Sequence, residues 1–183
     1  MVKTFIVTCF VLLLAIPALA QDEFPRIQTS LGYANLSFPD LTTTGSTGHH
    51  SGFANSTGLN FTKTLGFENY MGLYSLGNGS SLISDFVSGK ATYRAAKIAP
   101  YAVAGIGFGY LTVSTQFGTG SLSAFGTRYG GGVDVPINDI MSWKVEVSRL
   151  SFHFGPGLDP NNPTSSWTSG TNIQAGIVFT LTQ

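Results

Sequence analysis

The residues with reactive side chains are few, and their spacing limits what they can do. Ser151 and His153 share one face of a segment that also carries Arg149, while His49 and His50 are adjacent. Serine and histidine can form a nucleophile and its base, but such sets are assembled in space and are not reported by spacing. Two adjacent histidines with no cysteine or carboxylate beside them make a weak metal site. We therefore expect no catalytic residue, no metal and no cofactor, and read each histidine as a polar rim or loop residue. The sequence contains no phosphate-cradling loop, dinucleotide fingerprint or thiol nucleophile.

Charge is the other candidate chemistry, and it is scarce. Asp, Glu, Lys and Arg make up 10% of the chain, against about 25% in a typical soluble domain. No basic stripe exists to hold a nucleic acid backbone, and no polybasic cluster to hold an anionic membrane surface. The charges that recur on the polar side of alternating segments are Arg26, Glu68, Lys90, Arg128, Asp134, Lys144 and Glu146.

These residues need elements to position them, and the two ends of the chain say which. Met1-Val-Lys3 is a short positive start, and an apolar run from Phe5 to Ile16 follows. Ala18-Leu19-Ala20 then stands before the polar Gln21-Asp22-Glu23. This is the pattern of a secretory signal peptide cleaved after Ala20. The apolar run is shorter than the ~20 residues of a spanning helix. The expected organisation is residues 1–20 as signal and 21–183 as one domain. The only cysteine, Cys9, falls in the signal, so the domain has no disulfide or thiolate-bound metal. With Lys3 removed, the domain keeps eight of the nine cations and all nine anions, a net charge of −1.

The other end, residues 172–183, alternates. Ile173, Ala175, Ile177, Phe179 and Leu181 are apolar, and Asn172, Gln174, Thr180 and Thr182 between them are polar. A period of two is a strand with one greasy and one wet face. Seven more such segments precede it: 26–37, 51–61, 65–73, 82–94, 98–113, 122–135 and one from about 142 to 154, separated by turn-forming residues. Connections after the second, fourth and sixth segments are short. Those after the first, third, fifth and seventh read as mostly longer and rich in Gly, Ser, Thr and Pro. Outer-membrane barrels sort their turns and loops in this way. In the seventh segment the apolar phase changes from Trp143, Val145 and Val147 to Leu150, Phe152 and Phe154. A β-bulge produces a phase change of one residue.

Periodicity alone does not say which solvent meets the greasy face. The polar face decides it, because it consists of Ser, Thr, Gly, Asn and Gln with isolated charges, rather than the Lys and Glu of a solvated surface. The fold class expected is an all-β, eight-stranded, antiparallel up-and-down transmembrane β-barrel. A soluble, lipocalin-like ligand barrel is the inside-out alternative. Eight strands leave an interior that side chains just fill, so Glu68, Lys90, Arg128, Asp134, Lys144 and Glu146 become lumen salt-bridge candidates. Folding the hairpins sets Glu68 opposite Lys90 and Asp134 beside Lys144, and we expect both pairs as salt bridges that plug and stabilise rather than select ions.

The terminal Gln174-x-Gly176-x-x-Phe179-x-Leu181 resembles the signal by which barrel assembly machinery recognises a client's last strand, although Thr182 and Gln183 follow it. With Ser51–Gly66, Pro100-Tyr101 and Tyr129–Ile137, it makes the chain resemble the outer membrane protein β-barrel domain family. Members are small Gram-negative barrels of the OmpA/OmpX type, often described as porin-like. The resemblance implies a place in the cell outer membrane, outer-membrane lipid and the assembly machinery as partners, and a structural or surface-interaction role through external loops. It carries over no catalytic residue. Some such barrels modify lipid A, so a rim enzyme using Ser151 and His153 is the alternative with chemistry in it.

Overall fold

Residues 24–39, 47–94, 97–115, 118–155 and 166–182 are described by the computed structural model. The expected signal peptide, residues 1–20, lies outside them. The eight alternating segments form eight strands: β1 (Ile27–Pro39), β2 (Thr47–Asn60), β3 (Leu65–Gly77), β4 (Ser80–Thr92), β5 (Ala99–Thr115), β6 (Gly118–Pro136), β7 (Met141–Phe154) and β8 (Ser166–Thr182). Each pairs antiparallel with the next, and β8 pairs with β1 to close the barrel. Closure removes the sheet edges that would leave unpaired backbone groups.

Local chemistry sets the tight turns. After β2, Thr62 Oγ1 accepts from Thr64 N at 3.2 Å and Leu65 N at 2.9 Å. After β6, Asn138 Oδ1 accepts from Ile140 N at 3.0 Å and Met141 N at 2.8 Å. Side chains that fold back onto the backbone two or three residues on are what make such residues turn formers. These turns mark one end of the barrel, called here the tight-turn end.

The opposite end differs from expectation. The connection between β3 and β4 is only Asn78-Gly79, with positive φ at Gly77 (82°), Asn78 (50°) and Gly79 (76°). Such a left-handed run suits Gly and Asn. Likewise the Gly/Thr/Ser stretch after Thr115 is mostly strand, paired from Thr115↔Gly118 onward. β5 and β6 therefore reach 17 and 19 residues, well beyond the ~9–11 a tilted spanning strand needs. Turn-forming composition marked these residues as loops, but a hairpin ribbon satisfies their backbone equally well. The connections over residues 40–46 and 156–165 lie outside the described residues.

The side-chain phase settles which face is greasy. Phe108 is 66% exposed, Phe53 64% and Ile106 60%, and Leu31, Val87, Trp143 and Ile173 share that outer wall. A water-soluble barrel has the reverse arrangement, and so much contiguous apolar wall has no place in water. The interior holds Ser30, Ser56, Glu68, Ser84, Ser88, Asn172 and Gln174, all buried.

The expected bulge in β7 is absent. The register of β7 runs unbroken against β6 from Ser142 to His153 and against β8 from Met141 to Phe154, and burial alternates from Trp143 onward. Leu150, Phe152 and Phe154 stay on the inner face, where Lys144, Glu146 and Ser148 precede them. The change of phase in the sequence is a change in the character of the lumen, from polar to apolar, along an undistorted strand.

Candidate functional site

The lumen is built in two layers. Toward the tight-turn end lies a charged layer centred on Glu68 of β3. Its Oε2 accepts from Lys90 Nζ at 3.3 Å and Lys144 Nζ at 3.2 Å, and its Oε1 from Arg128 at 3.0 Å. Glu146 takes Arg128 at 2.7 Å and Lys144 at 3.5 Å, and Tyr101 Oη donates to it at 3.0 Å. Asp134 takes Lys90 at 3.6 Å. All six charged side chains are at most 7% exposed. Three carboxylates face three cations, so the layer is neutral, as burial of charge requires.

Aromatic faces and hydroxyls complete the layer. Arg128 lies 4.1 Å over the Tyr70 ring, and Lys90 lies 4.0 Å over Tyr101. Arg128 also donates to Ser88 at 3.2 Å, and Lys144 to Ser56 at 3.1 Å. Above the charges, Tyr70 and Tyr74 hydroxyls meet at 2.6 Å, and the Asn172 amide joins both at 3.0 Å. The cavity that remains among Ser30, Ser56, Glu68, Lys90 and Lys144 is about 10 Å³, at the lower limit for a single water.

The structure brings the sequence's six lumen candidates into one network, with different pairings. Glu68 and Lys90 do meet, but their strands pair Glu68↔Ser88 and Gly66↔Lys90, so the contact is diagonal. Asp134 and Lys144 are register partners, yet the Lys144 ammonium reaches across the lumen to Glu68 and along its own strand to Glu146, and Asp134 pairs with Lys90. The contacts Arg128–Glu68 and Lys144–Glu68 join non-adjacent strands through the barrel interior, which hairpin folding does not reveal. Arg26 is exposed, below the layer, with its guanidinium 5.9 Å from the Phe24 ring.

The second layer, toward the far end, is an apolar plug that sequence reasoning missed. Leu36, Phe38, Leu82, Phe86, Leu111, Leu150 and Phe152 are all fully buried there. Phe152 is the centre, 6.1 Å from Phe38, 5.7 Å from Phe86 and 6.0 Å from Phe154 between ring centroids. Glycines make room for it. A Cβ on Gly109 would lie 2.6 Å from the Phe152 ring, and one on Gly126 3.0 Å from it. The signal was present in β1, where Ala34, Leu36 and Phe38 are in phase with Ser30, and in the shifted half of β7.

The terminal-strand residues divide between the faces. Gln174 points into the lumen, buried, with neither end of its amide paired among the described residues. Phe179 and Leu181 stand on the outer wall. Gly176 pairs with Gly32 of β1 at the closing seam. A Cβ on Gly176 would lie 2.6 Å from Gly32 Cα, and the reverse contact is 2.8 Å. The obstruction is backbone and cannot swing aside, so Gly176→Val should hold the seam open. We expect most Gly176→Val protein refolded in detergent to lose the gel-mobility shift between unheated and boiled samples, whereas Ile177→Val keeps it.

Among the described residues the serine and histidines have the following partners. Ser151 Oγ bonds Ser169 Oγ at 2.8 Å, while the His153 ring packs at a tilt against Trp167, 5.1 Å between centroids. Arg149 donates to Thr171 at 3.2 Å. His49 and His50 point to opposite faces of β2, by the strand's period of two, and His49 Nδ1 is 2.9 Å from Ser37 Oγ.

The sequence matches the outer membrane protein β-barrel domain family over residues 6–180. A comparison with curated protein sequences finds no match. Among solved structures, Neisserial surface protein A is similar with a TM-score of 0.64 and 14% identity, over 85% of this chain and 96% of that one. The N-terminal β-barrel domain of Pseudomonas aeruginosa OprF gives 0.56 and 12%, over 86% and 98%. The attachment invasion locus protein of Yersinia pestis gives 0.54 and 16%, over 84% and 96%. At these identities the likeness is one of fold.

Proposed function

Because the chain belongs to the outer membrane protein β-barrel domain family and lies in the outer membrane, we propose that it works from its wall and outward connections, and not through its lumen. The observation that carries this reading is the two-layered lumen. A self-neutralised ion network and an aromatic plug lie in series across the described lumen. The protein then serves the envelope as a non-enzymatic barrel whose external connections, over residues 40–46 and 156–165 and the long β5–β6 ribbon, meet a surface partner.

We also propose a route of biogenesis. Residues 1–20 direct export, and the last strand, through Gln174, Gly176, Phe179 and Leu181, is recognised by the barrel assembly machinery. Phe179 and Leu181 point outward, and although Phe179 pairs with Thr29 at the closing seam, shortening the two side chains leaves that backbone pairing in place. The double variant Phe179→Ala/Leu181→Ala should therefore refold in detergent with a normal heat shift yet be recovered poorly from the outer membrane of cells. Equal recovery to wild type would remove these two residues from the assembly signal.

The role itself is tested by replacing residues 40–46 and 156–165 with Gly/Ser segments of the same length. Cells without the protein, with wild type and with the replaced chain are compared for adhesion and for bile-salt sensitivity. We expect the replaced barrel to fold and to lose adhesion. Wild-type behaviour in both assays would overturn the loop-based reading, and altered lipid A by mass spectrometry would replace it with an enzymatic one.

A further inference from the structure

Of the strand residues that face outward, two carry charge: Asp85 on β4 and Arg149 on β7. Asp85 accepts from Asn69 on the neighbouring strand at 2.6 Å. Arg149 stands among hydroxyls. Its row across β6, β7 and β8 is Tyr129, Arg149 and Thr171. The row above it, toward the long connections, is Thr127, Ser151 and Ser169. Below, the wall is apolar again, with Val145, Val147 and Ile173 exposed.

The two polar rows are rich in unused donors. Arg149 Nη1 donates to Thr171 Oγ1 at 3.2 Å, and no other bond reaches the guanidinium among the described residues. It therefore keeps N–H donors to spare, and Thr171, having accepted, keeps its own hydrogen. Ser151 and Ser169 bond each other at 2.8 Å, which uses the hydrogen of only one of them. No carboxylate stands on the outward faces of β6, β7 and β8 among the described residues. Such a patch attracts an anion and repels a cation.

An aromatic row gives its depth. Phe125, His153 and Trp167 are in register directly above the hydroxyls. The Trp167 ring is 5.1 Å from His153 and 6.4 Å from Phe125 between centroids, and Phe108 of β5 extends the row at 6.1 Å from Phe125. Belts of this kind sit at the headgroup level of a membrane. Arg149 thus lies just inside the outer headgroup layer, where hydrocarbon offers a guanidinium no partner and an ionisable side chain marks a functional surface.

We propose that this patch binds the phosphate of an outer-leaflet glycolipid. The planar guanidinium matches a phosphate in bidentate form, while Thr171 and the Ser151–Ser169 pair donate to its remaining oxygens. The aromatic row stands on the headgroup side of the arginine, where the sugar bearing the phosphate rests against it. An acyl chain of the same lipid runs down the wall over Val147, Val145 and Trp143. The site goes beyond the external connections, and needs only that the wall lie in the outer membrane.

The test titrates folded protein in detergent micelles, its heat shift verified, with bisphosphorylated lipid A and follows the adducts by native mass spectrometry. Wild type should hold one lipid A more firmly than any further copy. Arg149→Gln should weaken that adduct about tenfold, the order expected when a charge-assisted contact is lost. Asp85→Asn should leave it unchanged. Should Arg149→Gln lack the heat shift, Arg149→Lys takes its place, with a smaller loss in the same direction because an ammonium acts as a point charge. Removing the phosphates from lipid A should weaken binding to wild type as much as Arg149→Gln does. The proposal is overturned if the Arg149 variant keeps the wild-type adduct or if dephosphorylated lipid A binds equally well. Displacement of lipid A by phosphatidylglycerol, or by an excess of inorganic phosphate, would also overturn it, since the patch would then take any phosphate.

Discussion

Replacing Glu68 with Ala is expected to cost about 3–5 kcal/mol of barrel stability, the range for breaking a buried ion pair by removing one partner. Glu68 accepts from Lys90, Lys144 and Arg128 at once. Its loss leaves three cations facing only Asp134 and Glu146, an excess of one buried positive charge. Urea unfolding in detergent micelles, followed by fluorescence of Trp143 and Trp167, should show a lower midpoint. Glu68→Gln should lose most of the same stability, since it keeps the volume and removes the charge. Charge balance is then testable directly. Adding Lys144→Met to Glu68→Gln removes the excess cation and should recover a substantial part of the loss. If Glu68→Gln unfolds like wild type, the layer is held by packing and its neutrality is incidental.

Gly109→Ala is the second large effect, and its sign is the informative part. In an open strand alanine is favoured over glycine, because glycine surrenders more chain entropy on folding. Here the added methyl would lie 2.6 Å from Phe152 Cε1, and Phe152 is held by Phe38, Phe86 and Phe154. Overpacking a full core costs about 1–3 kcal/mol, so Gly109→Ala should lower the unfolding midpoint. Phe152→Leu should be destabilising alone and should suppress the effect of Gly109→Ala in the double variant. Additive losses would mean that the ring moves aside freely and that the aromatic layer is loose.

How much of this was legible follows from where the period of two keeps its contrast. On β4, Ile83, Val87 and Ala91 alternate with Ser84, Ser88 and Lys90, and the strand and both its faces can be read directly. Near the far end of β7, both faces change together. Arg149, Ser151 and His153 stand outside, and Leu150, Phe152 and Phe154 inside, so the alternation persists while its meaning inverts. A sequence pattern records which residues share a face, but not where along the barrel the interior turns apolar. The same limit applies to the ion network. Hairpin folding reaches partners on neighbouring strands, such as Asp134 and Lys144, but an eight-stranded lumen is narrow enough for side chains from β3, β6 and β7 to meet across it. Long side chains then choose partners by distance through the lumen, and Lys144 leaves its register neighbour for Glu68. The composition that marked residues 118–121 as loop misled for a related reason. Gly, Ser and Thr suit a turn, yet they also pair well in a ribbon that extends past the membrane.

In the proposed reading the lumen is sealed twice, once by charge and once by aromatic packing. Single-channel recording in planar lipid bilayers, on protein shown to be folded by its heat shift, would reveal any opening through it. Wild type should give a quiet baseline with no conductance steps across the voltage range. Phe152→Ala should stay quiet as well, because the charged layer remains, and so should Glu68→Gln, because the plug remains. Stepwise, reproducible conductance from folded wild-type protein would contradict the account, since it requires a continuous water path through both layers.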